Sequence, residues 1–292
     1  MYKCPECNEP FGVSNFHTES LCRKCGYVVT ILEGKVPGLV KDKVALEKEI
    51  LEAKSAGKAN WYEEPQAPQW HGPYRHHIKK RVNYVEHILE EYSKKINRPL
   101  IGLDLGCGDG GNLWWLSKYF SKMFGSDYNI TRLSRASLVP DVEQIFMADI
   151  LNYPVVDNYF DIIFFNHVLE HIPDAERAMQ EVHRILKPDG LLVLGVPNEG
   201  AFFGQLAYRL QPSSLATTDH VHFFTSKSLT SLCLKSDFKV IEEKALGWGI
   251  PHWSLDSRVR GWKFLDDAFE FFGKLFLPNQ ASSLYFILQK NN

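Results

Sequence analysis

Residues 101–111 read Ile101-Gly102-Leu103-Asp104-Leu105-Gly106-Cys107-Gly108-Asp109-Gly110-Gly111, and they decide the fold. Ile101 to Leu105 is an apolar run of strand length, glycines crowd the next six positions, and a helical run begins at Asn112-Leu113-Trp114-Trp115-Leu116. Strand, glycine turn and helix together make a cradle for a nucleotide-like cofactor. The turn needs glycine because its backbone angles exclude a Cβ and because the ligand rests on bare main chain. The helix then offers free N–H groups to a negative group. Two patterns fit. Gly106, Gly108 and Gly111 satisfy G-x-G-x-x-G, the dinucleotide fingerprint; Asp104, Gly106, Gly108 and Gly110 satisfy D-x-G-x-G-x-G.

The strand tips that follow separate the two. A short strand, Met123 to Ser126, ends in Asp127, where a carboxylate accepts from both hydroxyls of a ribose. A third strand, from Gln144, ends in Ala148-Asp149-Ile150. Tyr159 to Asn166 reads as a fourth strand. A helix with Ala178, Val182, Ile185 and Leu186 on one face leads through Lys187-Pro188-Asp189-Gly190 into a fifth, Leu191 to Val196. Carboxylates at successive tips suit a ligand with an amine, a diol and an exocyclic amine, and they repel a pyrophosphate.

Over residues 100–200 the chain resembles the class I S-adenosylmethionine (SAM) methyltransferases, with Asp104 to Gly110 as their motif I. The runs His167 to Asp174 and Glu181 to Asn198 resemble the group that includes the ubiquinone and menaquinone biosynthesis enzymes. The resemblance implies an α/β, Rossmann-like seven-stranded methyltransferase sheet with an antiparallel last strand. It implies that Gly106, Cys107, Gly108 and Gly110 cradle the methionine part of SAM, and that Asp104 orients the loop and contacts the ammonium. Asp127, with Tyr128 beside it, would hold the ribose, Asp149 and Ile150 the adenine, and Asn166 and His167 would flank the sulfonium. Glu170-His171 reads first as a hydrogen-bonding pair at a helix start and second as metal ligands, as in some quinone O-methyltransferases; His167 stands where an E-x-x-E-H arrangement would have Glu. Asp161 reads as a strand-start residue near the surface.

Ahead of this domain, Cys4-Pro5-Glu6-Cys7 and Cys22-Arg23-Lys24-Cys25 are two C-x-x-C pairs separated by 14 residues. Four thiolates close a tetrahedral zinc site and leave no position for substrate, which makes the metal structural. The pairs resemble a zinc ribbon, with a short hairpin after each (Phe11 to Phe16, then Tyr27 to Leu32). The organisation expected is a small N-terminal zinc ribbon over 1–40, linker and approach helices over 41–98, and the SAM-binding domain over 99–292. Substrate-cap inserts fall at about 199–225 and 245–281. Within the linker, 41–58 reads as an exposed helix and 59–72, with Trp61, Tyr62 and Trp70, as an aromatic connection. From Tyr74 a helix places Ile78, Val82, Val85, Ile88 and Leu89 inward. His71, Arg75, His76 and His77 at its start read either as a solvated helix end or as contacts over the cofactor mouth.

The net charge of −2 gives no general attraction to nucleic acid or anionic membrane. No apolar run reaches membrane-spanning length, and the opening residues lack a signal-peptide pattern. A cytoplasmic location is expected, in keeping with cysteines that read as metal ligands and lone thiols.

The segment Thr218 to Thr225 resembles an element that follows the fifth strand in SAM enzymes acting on small molecules, lipids or saccharides. For a hydroxyl acceptor a histidine suits proton removal near neutral pH. The candidates are His222, His220 and His167, with His222 preferred. The aromatic run Trp262 to Leu277 reads first as core packing, then as a lid, then as a peripheral membrane contact. The function expected is methyl transfer from SAM to a small-molecule, lipid-like or saccharide acceptor. An alternative is an rRNA or tRNA base methyltransferase that uses the ribbon to recognise RNA. Against it stand the few basic residues of the ribbon and Asn166-His167-Val168-Leu169 where an N-x-P-Y-type motif would be. A second alternative is a non-enzymatic SAM-fold scaffold whose ribbon binds a partner protein.

Overall fold

The computed structural model describes residues 1–13, 15–42, 48, 51, 55 and 71–291. The helix expected over 41–58 and the aromatic linker with Trp61, Tyr62 and Trp70 lie largely outside the described residues. Three short strands open the chain: β1 (Ser20–Leu21), β2 (Val28–Leu32) and β3 (Val36–Leu39). Helix α1 (Arg75–Ile96) buries Ile78, Val82, Val85, Leu89 and Tyr92, one stripe at helical spacing. Then come β4 (Ile101–Leu105), α2 (Leu113–Leu116), β5 (Lys122–Asp127), α3 (Ile130–Ala136), β6 (Gln144–Ala148) and β7 (Phe160–Asn166). Helix α4 (Ala175–Ile185) leads into β8 (Leu186–Pro197).

Strands β4 to β8 run parallel in the order β6-β5-β4-β7-β8. The remaining two strands are β9 (Phe238–Leu246) and β10 (Ser283–Lys290), and β10 inserts antiparallel between β8 and β9. These seven strands are the expected Rossmann-like methyltransferase sheet. Its central strands are covered on both faces, which is why β7 and β8 read as nearly continuous apolar runs.

The ribbon continues this sheet. Strand β3 pairs parallel with β6, Gly38 opposite Met147 and Leu39 opposite Ala148. An uncovered β6 would present open N–H and C=O groups, and β3 closes that edge. Gln144, at the start of β6, locks the join: its Oε1 accepts from the Tyr2 hydroxyl (2.9 Å) and the Phe16 N–H (3.1 Å), and its Nε2 donates to the Phe16 carbonyl (2.7 Å). Tyr2 is fully buried between Phe16 and Phe146. The hairpin expected over Phe11–Phe16 is therefore absent among the described residues there: Asn15 and Phe16 bond the Glu143 and Gln144 side chains, and the Phe11 N–H donates to the Tyr2 carbonyl. The second, expected over Tyr27–Leu32, is displaced: those residues are the single strand β2, and its hairpin partner is β3.

Two further expectations are corrected. The helical run expected from Asn112 is only the one-turn α2 and a 3₁₀ turn at Ser117–Tyr119, because the chain turns back to lay Phe120 over Gly102. A Cβ on Gly102 would stand 2.7 Å from that ring. Asp161 is fully buried, not near the surface. It accepts from the Ile101 N–H (2.8 Å) and Lys187 Nζ (2.9 Å) and pairs with Arg98, so it pins the start of β4 to β7 and β8.

The segments after β8 and β9 build a cap over the strand ends. It consists of α5 (Phe202–Leu210), α6 (Pro212–Thr217), α8 (Trp253–Val259) and α9 (Lys263–Phe276). Helix α7 (Ser226–Lys235) begins with a capping box in which Thr225 and Ser228 exchange side-chain and backbone bonds.

Candidate active site

The glycine turn is stitched to the end of β5. The N–H groups of Gly106 and Cys107 donate to the Ser126 carbonyl (2.8 and 2.9 Å), and the Gly108 N–H donates to Asp127 Oδ2 (2.9 Å). Gly106 has φ 77°, and a Cβ there would stand 2.2 Å from the Val168 side chain, so the position excludes any other residue. Cys107 is buried, and burial pushes its thiol far up, so it acts as a neutral packing group.

Asp104 is 1% exposed, and its Oδ2 has no hydrogen-bond partner. Burial pushes its carboxyl up to about 8; the Asp127 carboxylate adds to the rise and Arg81 opposes it. At the other strand tips, Asp127 Oδ1 accepts from the Asn129 N–H (3.0 Å) and Asp149 Oδ1 from the Leu151 N–H (2.9 Å). Tyr128 and Ile150 stand half-buried beside them. Asn166 Oδ1 accepts from the Tyr285 hydroxyl (2.5 Å). His167 has φ 54°, held by its N–H on the Gly195 carbonyl (2.8 Å). A histidine in that left-handed region at a strand tip is local strain of the kind found at functional sites.

A histidine–carboxylate cluster follows. Glu170 is fully buried, with His167 Nδ1 3.4 Å from its Oε1. Its carbonyl accepts the N–H groups of Val221 and His222, which straps the 219–222 loop across the Leu169–His171 turn. That strap brings the His171 and His220 rings to 4.7 Å between centroids. Asp219 Oδ1 lies 2.9 Å from His171 Nδ1, and Glu199 bridges His220 Nδ1 (2.6 Å) and the Tyr208 hydroxyl (2.6 Å). Burial pulls the His220 pKa down, but the Glu199 carboxylate outweighs it and the net shift is upward. His222 is placed elsewhere: its Nε2 donates to the carbonyls of Ile172 (3.0 Å) and Pro173 (3.2 Å), outside the cleft.

Between strand tips and cap lies a cavity of about 280 Å³, lined among others by Tyr74, His77, His167, Phe203, Trp253 and Arg260. A more open cavity of about 490 Å³ runs from Arg132 to His220. A Cβ on Gly108 would meet the Arg132 guanidinium, so this cavity begins beside the glycine turn. His167, Glu199 and Trp253 line both, and the two form one cleft.

A family profile described as a methyltransferase domain matches residues 74–243, more than half of the chain. The chain belongs to the methyltransferase-domain family. Relatives extend the match. An uncharacterised protein of Methanocaldococcus jannaschii is 30% identical over 188 residues, 61% of this chain and 81% of that one. A demethylmenaquinone methyltransferase of Lactobacillus johnsonii is 31% identical over 106 residues, 33% of this chain and 43% of its own length. Among solved structures, an N-methyltransferase of Haemonchus contortus in complex with S-adenosylhomocysteine superposes with a TM-score of 0.50 at 18% identity, covering 66% of this chain and 49% of that one; the likeness is of fold.

SAM is therefore the cofactor of this methyltransferase, and the residues fit it. The glycine cradle leaves main chain bare. The unpartnered, buried Asp104 oxygen awaits a donor, as an α-ammonium would supply. Asp127, already fixed by two backbone N–H groups, keeps lone pairs free for a diol.

Of the sequence candidates, the fold brings Asp104, Gly106, Gly108, Asp127, Asn166, His167 and His220 to the strand ends. Of the four-residue cluster at the start of α1, His77 lines the cleft, whereas Arg75 turns away to the Gly261 carbonyl. Burial drives the His77 pKa well down, which keeps the ring neutral. Glu199 and Trp253 carried no sequence signal beyond following the fifth strand and lying in an aromatic insert.

At the other end of the chain, the four thiol sulfurs of Cys4, Cys7, Cys22 and Cys25 lie within 4.8 Å of one another. Cys4 and Cys25 are 3.5 Å apart and Cys7 and Cys22 3.6 Å. Four ligands about 2.3 Å from one tetrahedral zinc stand at about that separation.

Proposed function

We propose that this methyltransferase transfers the methyl group of SAM to a small amphiphilic hydroxyl acceptor held in the cleft beneath the cap, and that a structural zinc ion sits between the four cysteines. The observation that carries the acceptor reading is the His220–Glu199 pair in a cleft that also contains the aromatic rings of Tyr74, Phe203 and Trp253. Apolar walls with a few convergent polar groups are the mark of a small-molecule site. The Lactobacillus johnsonii relative is named for demethylmenaquinone, a small lipophilic acceptor. An RNA acceptor is less well supported: Lys3, Lys24 and Lys41 of the ribbon region are paired with Asp157, Glu9 and Glu6, which leaves little basic surface for a phosphate backbone.

SAM brings an activated sulfonium, so the chain's own work is alignment, exclusion of water and removal of one proton. Asp104, Asp127 and Asp149 would hold the cofactor at its ammonium, ribose and adenine. His167, strained at the tip of β7, would stand beside it. His220 Nε2 takes the acceptor's hydroxyl proton while Glu199 holds Nδ1–H and stabilises the imidazolium.

Two variants test this reading. His220→Gln should lower kcat about 100-fold with SAM affinity unchanged. Because only neutral His220 accepts a proton, the rate should rise with pH through a pKa above the ordinary 6.5. Glu199→Gln removes the carboxylate that raises it and should move that limb to lower pH. Methyl transfer from radiolabelled SAM to a lipid and small-molecule extract, compared with total RNA, identifies the acceptor class. Label entering RNA alone, or a His220→Gln enzyme with wild-type kcat, would overturn the proposal.

A further inference from the structure

Helix α9 is built inside out. Its inward face is ionic. Asp266, 2% exposed, meets Lys80 (2.7 Å) and Arg260 (3.0 Å), while Asp267 (2.9 Å) and Glu270 (2.7 Å) reach the same Lys80 on α1. Gly273 lies flat on Trp248, where a Cβ would stand 2.1 Å from the indole. The outward face carries Phe264, Phe271, Phe272, Leu275 and Phe276, each between 56% and 68% exposed. Their spacing of seven, one, three and one residues keeps them on one side of the helix. A helix packed for its own stability turns its apolar side to the core; this one turns it to the outside.

The patch has a direction. Past the end of α9, Leu277 is also exposed, and the Phe203 N–H donates to Gln280 Oε1 (2.8 Å), which brings exposed Phe202 to the same edge. Phe203 and Gln280 line the cleft. The apolar stripe thus ends at the cleft wall. On one flank stand Lys263, paired with Asp267 (2.5 Å), and Lys274, paired with Glu270, and exposed Arg258 lies on the neighbouring helix. Of the acids on α9, Asp266 is buried and Glu270 is mostly covered, both held by Lys80; Asp267 also pairs with Lys80 but stays partly exposed.

We propose that α9 lies in the headgroup–acyl boundary of an anionic bilayer, with its phenylalanines among the acyl chains and Lys263, Lys274 and Arg258 at the phosphates. Aromatic and leucine side chains on one face with lysines at the border are the composition of an interfacial helix, and the lysine stems reach past the apolar layer to the headgroups. The stripe offers no hydrogen-bonding side chain. A protein partner's interface would interleave such groups about once per 100–200 Å². Among the described residues no helix is long and apolar enough to cross a membrane, so the attachment is peripheral.

The test is co-sedimentation of the full chain with vesicles of phosphatidylcholine alone and of phosphatidylcholine with about one third phosphatidylglycerol. The wild type should bind the anionic vesicles, and less so in high salt. Phe271→Ser with Phe272→Ser and Phe276→Ser should lower that binding at least 10-fold while leaving the melting temperature and S-adenosylhomocysteine binding unchanged. Lys263→Glu with Lys274→Glu should lower it on anionic vesicles selectively. No binding to either vesicle, or binding that survives the triple substitution, overturns the proposal. So does a dimer that the triple substitution converts to monomer, since a second copy would then cover the face. Neither readout uses methyl transfer, so the result stands apart from the acceptor reading.

Discussion

Asp104→Asn should fold as well as the wild type at pH 7 and bind SAM about 100-fold more weakly. The two halves of this result come from one fact, the burial of a carboxyl that burial and Asp127 push up to about 8. In the free protein at pH 7 that group is largely protonated, so an amide of the same shape changes little, within about 1 kcal/mol of stability. In the complex proposed here the carboxylate would face the α-ammonium, and removing one partner of such a buried pair costs about 3 kcal/mol, a factor of about 100 in affinity. The pH dependence carries the same signature. The folded pKa is raised above the ordinary value of 3.8, so the free protein holds a proton that the unfolded chain releases between about pH 4 and pH 8. The stabilisation is complete below that window and is lost as pH rises through it. SAM affinity runs the other way and rises toward pH 8, as the carboxylate becomes cheaper to form. Asp104→Asn should flatten both profiles. Wild-type affinity in the variant, measured by calorimetry, would show that Asp104 does not meet the ligand.

Removing the metal proposed at the four cysteines should destabilise the whole methyltransferase, not the ribbon alone. Without an ion, nothing holds the two cysteine pairs together, and a module this small does not fold unaided. Its loss takes Tyr2, Phe16 and Val29 out of the main core and opens the β6 edge from Gln144 to Ala148. A loss of about 3 kcal/mol is expected, roughly 10 °C in melting temperature for a chain of this size. Chelator-treated protein under reducing conditions, and Cys4→Ser with Cys22→Ser, should give the same shift, and amide exchange at Met147 and Ala148 should rise. SAM affinity should fall as well, because Asp149 and Ile150 continue directly from β6. A metal-free chain that melts with the wild type would mean that the ribbon rides on the sheet without supporting it.

The glycine turn and the acidic strand tips were legible because their chemistry is local: the residues that make the turn are also those proposed to hold the cofactor. The join between ribbon and sheet was not. Strand β3 is four residues, Val36-Pro37-Gly38-Leu39, and proline and glycine in a strand hide its pattern. The histidine pair fails for a different reason. In the extended segment 219–222 the rings of His220 and His222 depend on how the loop is strapped, and the bonds from Val221 and His222 to the Glu170 carbonyl set that phase. Those bonds join residues some fifty positions apart, which no spacing reveals. Helix α9 shows the limit of periodicity itself. Its amphipathic pattern is plain in the sequence, and core packing was the natural reading of its apolar side. Lys80 and Arg260 decide the orientation by drawing the acids inward, and neither is part of the helix.

The central claim is that the turn at Gly106 to Gly110, with Asp104 behind it, holds an S-adenosyl nucleoside by its α-ammonium. The most direct measurement is calorimetric titration of the full chain with S-adenosylhomocysteine at pH 7, in two buffers of different ionisation enthalpy, with NAD as the comparison ligand. One site should fill, NAD should give no heat, and the difference between buffers should report release of nearly one proton, shrinking as the pH is raised above 8. Binding of NAD in preference, or of the S-adenosyl compound with no proton released at pH 7, would contradict it.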